Sequence, residues 1–116
     1  MRHQKTKKTL GRKTGPRKAL IKNLLQSLIL HEKICTTEVK AKMIKPLMEK
    51  MVTRAKIDNL HNRRELMKVL PTNNSLKKMF EVIGPKYKSR RGGYLRIIKT
   101  DERKGDGAKM AIIEFV

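Results

Sequence analysis

The sequence predicts an α+β fold, with about four helices packed on one face of a small three-stranded sheet and a basic, extended N-terminal arm. Three observations carry this reading. Apolar residues recur at helical spacing through most of residues 16–83. The period becomes that of a strand at 94–100 and 110–116, and briefly at 32–36, where β-branched residues gather. Residues 1–15 hold no apolar face. A chain of 116 residues with 38% apolar content supports one modest core, so residues 16–116 are read as a single domain and 1–15 as its arm, disordered when free.

The elements follow in order. Pro16 suits a first helical position, where its missing N–H costs nothing. Leu20, Leu24 and Leu28, with Ile21, Leu25 and Ile29, then build an amphipathic helix to about His31. Ile34, Cys35 and Thr36 favour a short strand. Thr37 is placed to cap a second helix, with Glu38 complementing the helix dipole. Val39, Met43, Leu47, Met51 and Ala55 recur at i+4 to about Ile57, with a kink expected near Pro46. Asp58 or Asn59 caps a third helix carrying Leu66, Val69 and Leu70 and ended by Pro71. Asn74 or Ser75 caps a fourth, with Leu76, Met79, Phe80 and Ile83, which Gly84-Pro85 should terminate. Residues 86–93 form a basic loop. The strands 94–100 and 110–116 flank a charged connector whose Gly105-Asp106-Gly107 can supply a hairpin turn.

Charge narrows the function. Thirty Lys and Arg against ten Asp and Glu give a formal net charge of +20, and a surface so cationic calls for a polyanionic partner. Catalysis finds little support. The three histidines and the single cysteine, Cys35, form no zinc-spaced set and no HExxH, so no catalytic residue and no metal site is assigned. Gly11 and Gly15 lack the Gly-Lys-Ser/Thr that a phosphate-cradling loop requires. No cofactor or small-molecule substrate is expected, and a cofactor-using RNA-modifying enzyme has no motif to stand on. A lone cysteine suits an intracellular protein, and no apolar run approaches a membrane span. The acid-free N-terminus lacks the apolar face of a targeting presequence.

Nucleic-acid binding remains. With two Tyr, two Phe and no Trp, a base-stacking mechanism is poorly supported, so contacts fall mainly on phosphates and overall shape. The cations come in clusters. Arg2, Lys5, Lys7, Lys8, Arg12 and Lys13 lie in the arm beside His3, and Arg17, Lys18 and Lys22 carry the charge onto the first helix. Arg63 and Arg64 mark the third helix. Lys86, Lys88, Arg90 and Arg91 fill the loop, where Gly92 and Gly93 allow close backbone approach to a phosphate. A nucleoid-type, non-specific DNA-binding protein is the alternative reading.

The chain also resembles a known family along nearly its whole length. Met1-Arg2-His3, His31-Glu32-Lys33-Ile34, Thr36-Thr37, Lys40-Ala41-Lys42, Ala55-Lys56 and Asn62-Arg63-Arg64 follow one another in its order. Gly84-Pro85, Arg91-Gly92-Gly93-Tyr94, Arg96-Ile97, Gly105-Asp106 and Met110-Ala111-Ile112-Ile113-Glu114 complete the series. The combination is similar to the seventeenth protein of the bacterial large ribosomal subunit. Met43 and Leu95 depart from residues common there. The resemblance implies a non-enzymatic, structural constituent of the large subunit, located in the cytoplasm. It implies large-subunit ribosomal RNA and neighbouring large-subunit ribosomal proteins as partners, with the arm from Arg2, Arg63-Arg64 and the segment Arg90 to Arg96, including Tyr94, facing RNA.

Overall fold

The computed structural model describes residues 9–116. Helix α1 (Thr14–His31) begins two residues before Pro16, leaving the proline in the first turn, where helix N–H groups have no intrahelical partner. Just before it, Leu10 and Gly11 adopt left-handed backbone (φ 53° and 63°), and the Arg12 N–H closes a turn on the Thr9 carbonyl at 3.0 Å. Leu25, Leu28 and Ile29 form its buried face, with Leu24 and Ile21 packed at the margin. Glu32 ends α1 in the left-handed region (φ 62°), its N–H on the Leu28 carbonyl at 2.7 Å. The Lys78 ammonium, 3.0 Å from the Leu30 carbonyl, satisfies another of the groups a helix end leaves open.

Strand β1 (Lys33–Thr37) leads directly into α2 (Glu38–Ala55), which contains Pro46. Thr37 occupies the N-cap position, yet its hydroxyl makes no capping bond. The Glu38 N–H is satisfied instead by the Lys109 carbonyl at 2.9 Å, and the Glu38 carboxylate takes Lys42 at 2.8 Å and Lys99 at 3.6 Å. The Lys42 hydrogen bond is the main reason this carboxyl titrates below its ordinary range. Of the two candidate caps for α3 (Leu60–Met67), Asn59 fills the role, its side chain accepting the Asn62 N–H at 2.8 Å.

Helix α4 (Asn73–Lys78) starts before either residue expected to cap it. Thr72 holds the cap position, and Ser75 is fully buried inside the helix with its hydroxyl 2.8 Å from that of Thr72. The helical run does not stop at Gly84-Pro85. It widens into a π turn (Met79–Ile83) and continues through Gly84–Lys86. Proline has no N–H to bond four residues back, and its ring crowds the carbonyl there, here that of Glu81. The wider turn accommodates both, with the Gly84 N–H reaching the Met79 carbonyl five residues back. Gly84 itself is right-handed (φ −55°), so its role is close packing and not termination. A Cβ there would lie 2.5 Å from the Ala55 carbonyl oxygen of α2.

Strands β2 (Leu95–Lys99) and β3 (Met110–Phe115) complete an antiparallel sheet of order β1-β3-β2. Ile34 and Ile97 both stand opposite Ile113, and Thr36 and Lys99 opposite Ala111. Ile113, Ala111 and Leu95 therefore point into the core with Met48, Ile44 and Val52 of α2. The helices cover this side of the sheet.

The connector between β2 and β3 turns as the glycines suggested. Arg103 and Asp106 form a two-pronged ion pair (2.6 and 3.1 Å), and the Asp106 carboxylate also accepts the Ala108 N–H at 3.2 Å. The Arg103 hydrogen bonds, then the Ala108 N–H, lower the Asp106 carboxyl to about 2. A depressed carboxyl contributes to the folded turn above its unfolded value and ceases to as pH falls through the folded one. The turn is therefore expected to stay closed at pH 4 and to loosen as the pH approaches 2. A carboxyl carbon NMR titration of Asp106 with its midpoint near 4 would contradict this.

Candidate nucleic-acid interface

The loop that follows the Gly84–Lys86 turn is held from beneath by two buried tyrosines. Tyr87 and Tyr94 pack with ring centroids 5.2 Å apart, and Phe115 lies 6.1 Å beyond Tyr87. The Tyr87 hydroxyl donates to the Val116 carbonyl at 2.7 Å, and the Tyr94 hydroxyl to the Arg90 carbonyl at 3.3 Å. Lys56 at the end of α2 donates to the same Arg90 carbonyl and lies 4.8 Å over the Tyr94 ring. Thr53 donates to the Tyr94 hydroxyl at 3.3 Å. Burial pushes this phenol up, but the hydrogen bonds from Lys56 and Thr53 and the Lys56 charge outweigh it and hold the group below its ordinary value.

On this platform the loop cations are arranged at the surface. Lys86 and Arg90 lie 5.3 and 5.9 Å from the Tyr87 ring centre, and Arg90 also donates to the Gly93 carbonyl at 3.3 Å. Gly93 is left-handed (φ 63°), a conformation that favours glycine. Lys88, Arg91 and Gly92 are exposed. Tyr94 is in the core, 1% exposed, so its ring presents no surface to a base. Sequence reasoning did not find Lys56 or Thr53 because nothing in their spacing links them to a loop more than thirty residues away.

Arg63 and Arg64 occupy α3, but their surroundings differ. Arg63 is bound in two-pronged fashion by Asp58 (2.6 and 2.8 Å) and lies 4.8 Å over the Phe80 ring. The hydrogen bond to Asp58 raises the guanidinium pKa and lowers the carboxyl's. Arg64 is exposed. An open groove of about 940 Å³ lies between α2, α3 and the loop, with His61 and Asn62 on one wall and Gly92 on another. The cations that line it are Lys50 and Arg54, whereas Arg63, Arg64 and Arg91 are only sequence neighbours of its walls. Glu49 and Glu65 also line it, yet among the described residues no three His, Cys, Asp or Glu side chains converge as a metal site would require.

Ion pairing sorts the predicted contact residues. Arg63 is paired with Asp58, and Arg96 with Glu114 at 2.6 Å. Arg12, Lys13, Arg17, Lys18, Lys22, Arg64, Lys86, Lys88, Arg90 and Arg91 have no salt bridge among the described residues. Lys18 and Lys22 share one exposed face of α1 at i,i+4. Such like charges repel unless something else neutralises them. Arg2, His3, Lys5, Lys7 and Lys8 lie outside the described residues.

A family model described as Ribosomal protein L17 matches residues 20–116. A protein of Thermomicrobium roseum called large ribosomal subunit protein bL17 is 47% identical over all 116 residues, which span 99% of that protein. Proteins of the same name from Borrelia hermsii (50% identical, 92% of this chain and 87% of that one) and Solibacter usitatus (48%, 100% and 77%) are similar as well.

Proposed function

Because the chain belongs to the ribosomal protein L17 family, whose members are structural and non-enzymatic, we propose that it is a constituent of the large ribosomal subunit, bound to large-subunit ribosomal RNA. The observation that carries the RNA-binding reading is uncompensated positive charge. Among the described residues, ten of the predicted contact cations have no salt bridge, and they lie just before and along the start of α1, on α3 and on the tyrosine-supported loop. Phosphates supply the missing negative charge.

The mechanism is architectural. Two phosphate chains brought close repel, and a rigid body carrying cations on several sides neutralises both at once. Lys88, Arg91 and the Gly92-Gly93 backbone approach one strand, and Lys18 and Lys22 another. Lys56, Thr53 and Tyr94 act as positioning residues that fix the loop through the Arg90 carbonyl. Arg63, anchored by Asp58 and Phe80, contributes shape and residual charge. Residues 1–13 serve as an arm threading between RNA segments; at ~3.3 to 3.6 Å per residue an extended stretch of that length spans up to about 45 Å.

Salt tests this reading. Binding to a large-subunit ribosomal RNA fragment should lose roughly 10³- to 10⁵-fold in affinity between 50 and 200 mM salt, as release of counter-ions from six to ten phosphates requires. Deleting residues 1–13 should leave the melting temperature in place and flatten that slope. A nearly flat dependence in the full chain would remove the electrostatic mechanism. Folded ribosomal RNA should outcompete duplex DNA at moderate salt, whereas equal competition would favour a generic DNA-binding protein.

A further inference from the structure

Among the described residues, one face of the sheet has no helix over it, and its middle is aliphatic. Side chains alternate between faces along a strand, so the register sets Cys35, Ile112 and Ile98 in one row across β1, β3 and β2 on the side away from the core. Cys35 is exposed, Ile98 is 44% exposed and Ile112 is half-buried. An antiparallel sheet facing water ordinarily turns polar side chains outward. The adjoining row is Lys33, Glu114 and Arg96, in which the one carboxylate serves both cations, Arg96 at 2.6 Å and Lys33 at 3.9 Å.

We propose that this open sheet face docks a segment of a neighbouring protein that presents aliphatic side chains beside a carboxylate. The inference rests on the reading of the chain as a large-subunit component. The aliphatic row matches an apolar anchor, and the two cations sharing Glu114 leave one positive charge for a partner's carboxylate to complete. RNA fits this face poorly. It carries no aromatic ring on which a base could stack, its guanidinium is already bonded, and Glu114 repels phosphate. A second copy fits poorly too, because each chain carries +20.

The chain's single cysteine lies in the row and reports on it. In the free full-length protein, Cys35 should react readily with a small maleimide; in purified large subunits the same thiol should be protected by about tenfold or more. Carbodiimide treatment of those subunits should join Lys33 to an Asp or Glu of another protein, next to aliphatic residues in the mapped peptide. Ile98→Lys should keep the wild-type melting temperature and RNA affinity while retention in subunits washed with salt falls about tenfold, the factor that burial of one aliphatic side chain carries.

Equal thiol reactivity in free and assembled protein would overturn the proposal. So would protection traced by cross-linking to RNA, to a second copy or to residues 1–8 of the same chain, or unchanged retention of Ile98→Lys. Each of these can occur with steep, salt-dependent RNA binding intact, so failure of the docking face is separable from failure of the RNA-binding reading.

Discussion

Gly84→Ala is expected to destabilise the protein, although on an open helix the same change stabilises. Alanine is favoured over glycine within a helix by about 0.8–1.0 kcal/mol, and Gly84 has ordinary right-handed dihedrals, so conformational strain is not the obstacle. The obstacle is space. The new methyl carbon would lie 2.5 Å from the Ala55 carbonyl oxygen and 3.1 Å from that of Met79, both main-chain atoms that no rotamer change can move. Separating α2 from the π turn by enough to admit it should cost roughly 1–3 kcal/mol or more, which for a domain of about 100 residues lowers the melting temperature by roughly 5–20 °C. An unchanged or raised melting temperature would mean that the helices can part without loss.

Leu28→Ala should have a still larger effect on folding and none specific to RNA. Leu28 is completely buried among the core residues of α1, and truncating such a side chain costs roughly 2–5 kcal/mol through lost burial and the cavity left behind. Arg91→Ala is the counterpart. Arg91 is exposed and has no salt bridge among the described residues, so the melting temperature should hold while RNA affinity and its salt slope both decline. Thermal melts and salt-titrated RNA binding of the two variants form a crossed comparison. Equal losses of melting temperature would place Arg91 in the fold instead of at the interface.

Periodicity made the helices and strands legible, because burial of one face is what shapes both the sequence pattern and the packing. Leu25, Leu28, Met51 and Ala55 lie inside as their spacing indicates, but Val39 and Leu47, on the same i+4 row as Met51, are 47% and 38% exposed, and the buried face of α2 is turned toward Ile44, Met48 and Val52. Leu24, on the same stripe as Leu28, is only half-buried, since a helix margin and its centre look alike in a one-dimensional pattern. Local rules misled at Gly84-Pro85, where a pair that usually ends a helix instead sits within a continued one. The reason is tertiary: the glycine answers to Ala55 on another helix, and the π turn relieves the proline.

The candidate interface was legible in the same partial way. Basic clusters can be read from composition, but which cations are free depends on where the few acids fall in space. Asp58 takes Arg63 and leaves Arg64, and Glu114 takes Arg96 across the sheet. Tyr94 follows Gly92-Gly93 in sequence and so reads as part of the basic segment, yet its ring turns inward and only its hydroxyl reaches back to hold Arg90.

The strand order has a consequence for how the molecule comes into being. The middle of the sheet is β3, which follows every other described element, while β1 was laid down more than seventy residues earlier. Among the described residues, neither β1 nor β2 has any strand partner but β3. Translation runs from the N-terminus at about 5–20 residues per second, so for several seconds the nascent chain displays its cationic helices with no sheet to close their apolar faces. The sheet can close only once β3 has been made. Any early grip on RNA is therefore taken by an unfinished polypeptide, whose final shape can be settled with the polyanion already in place.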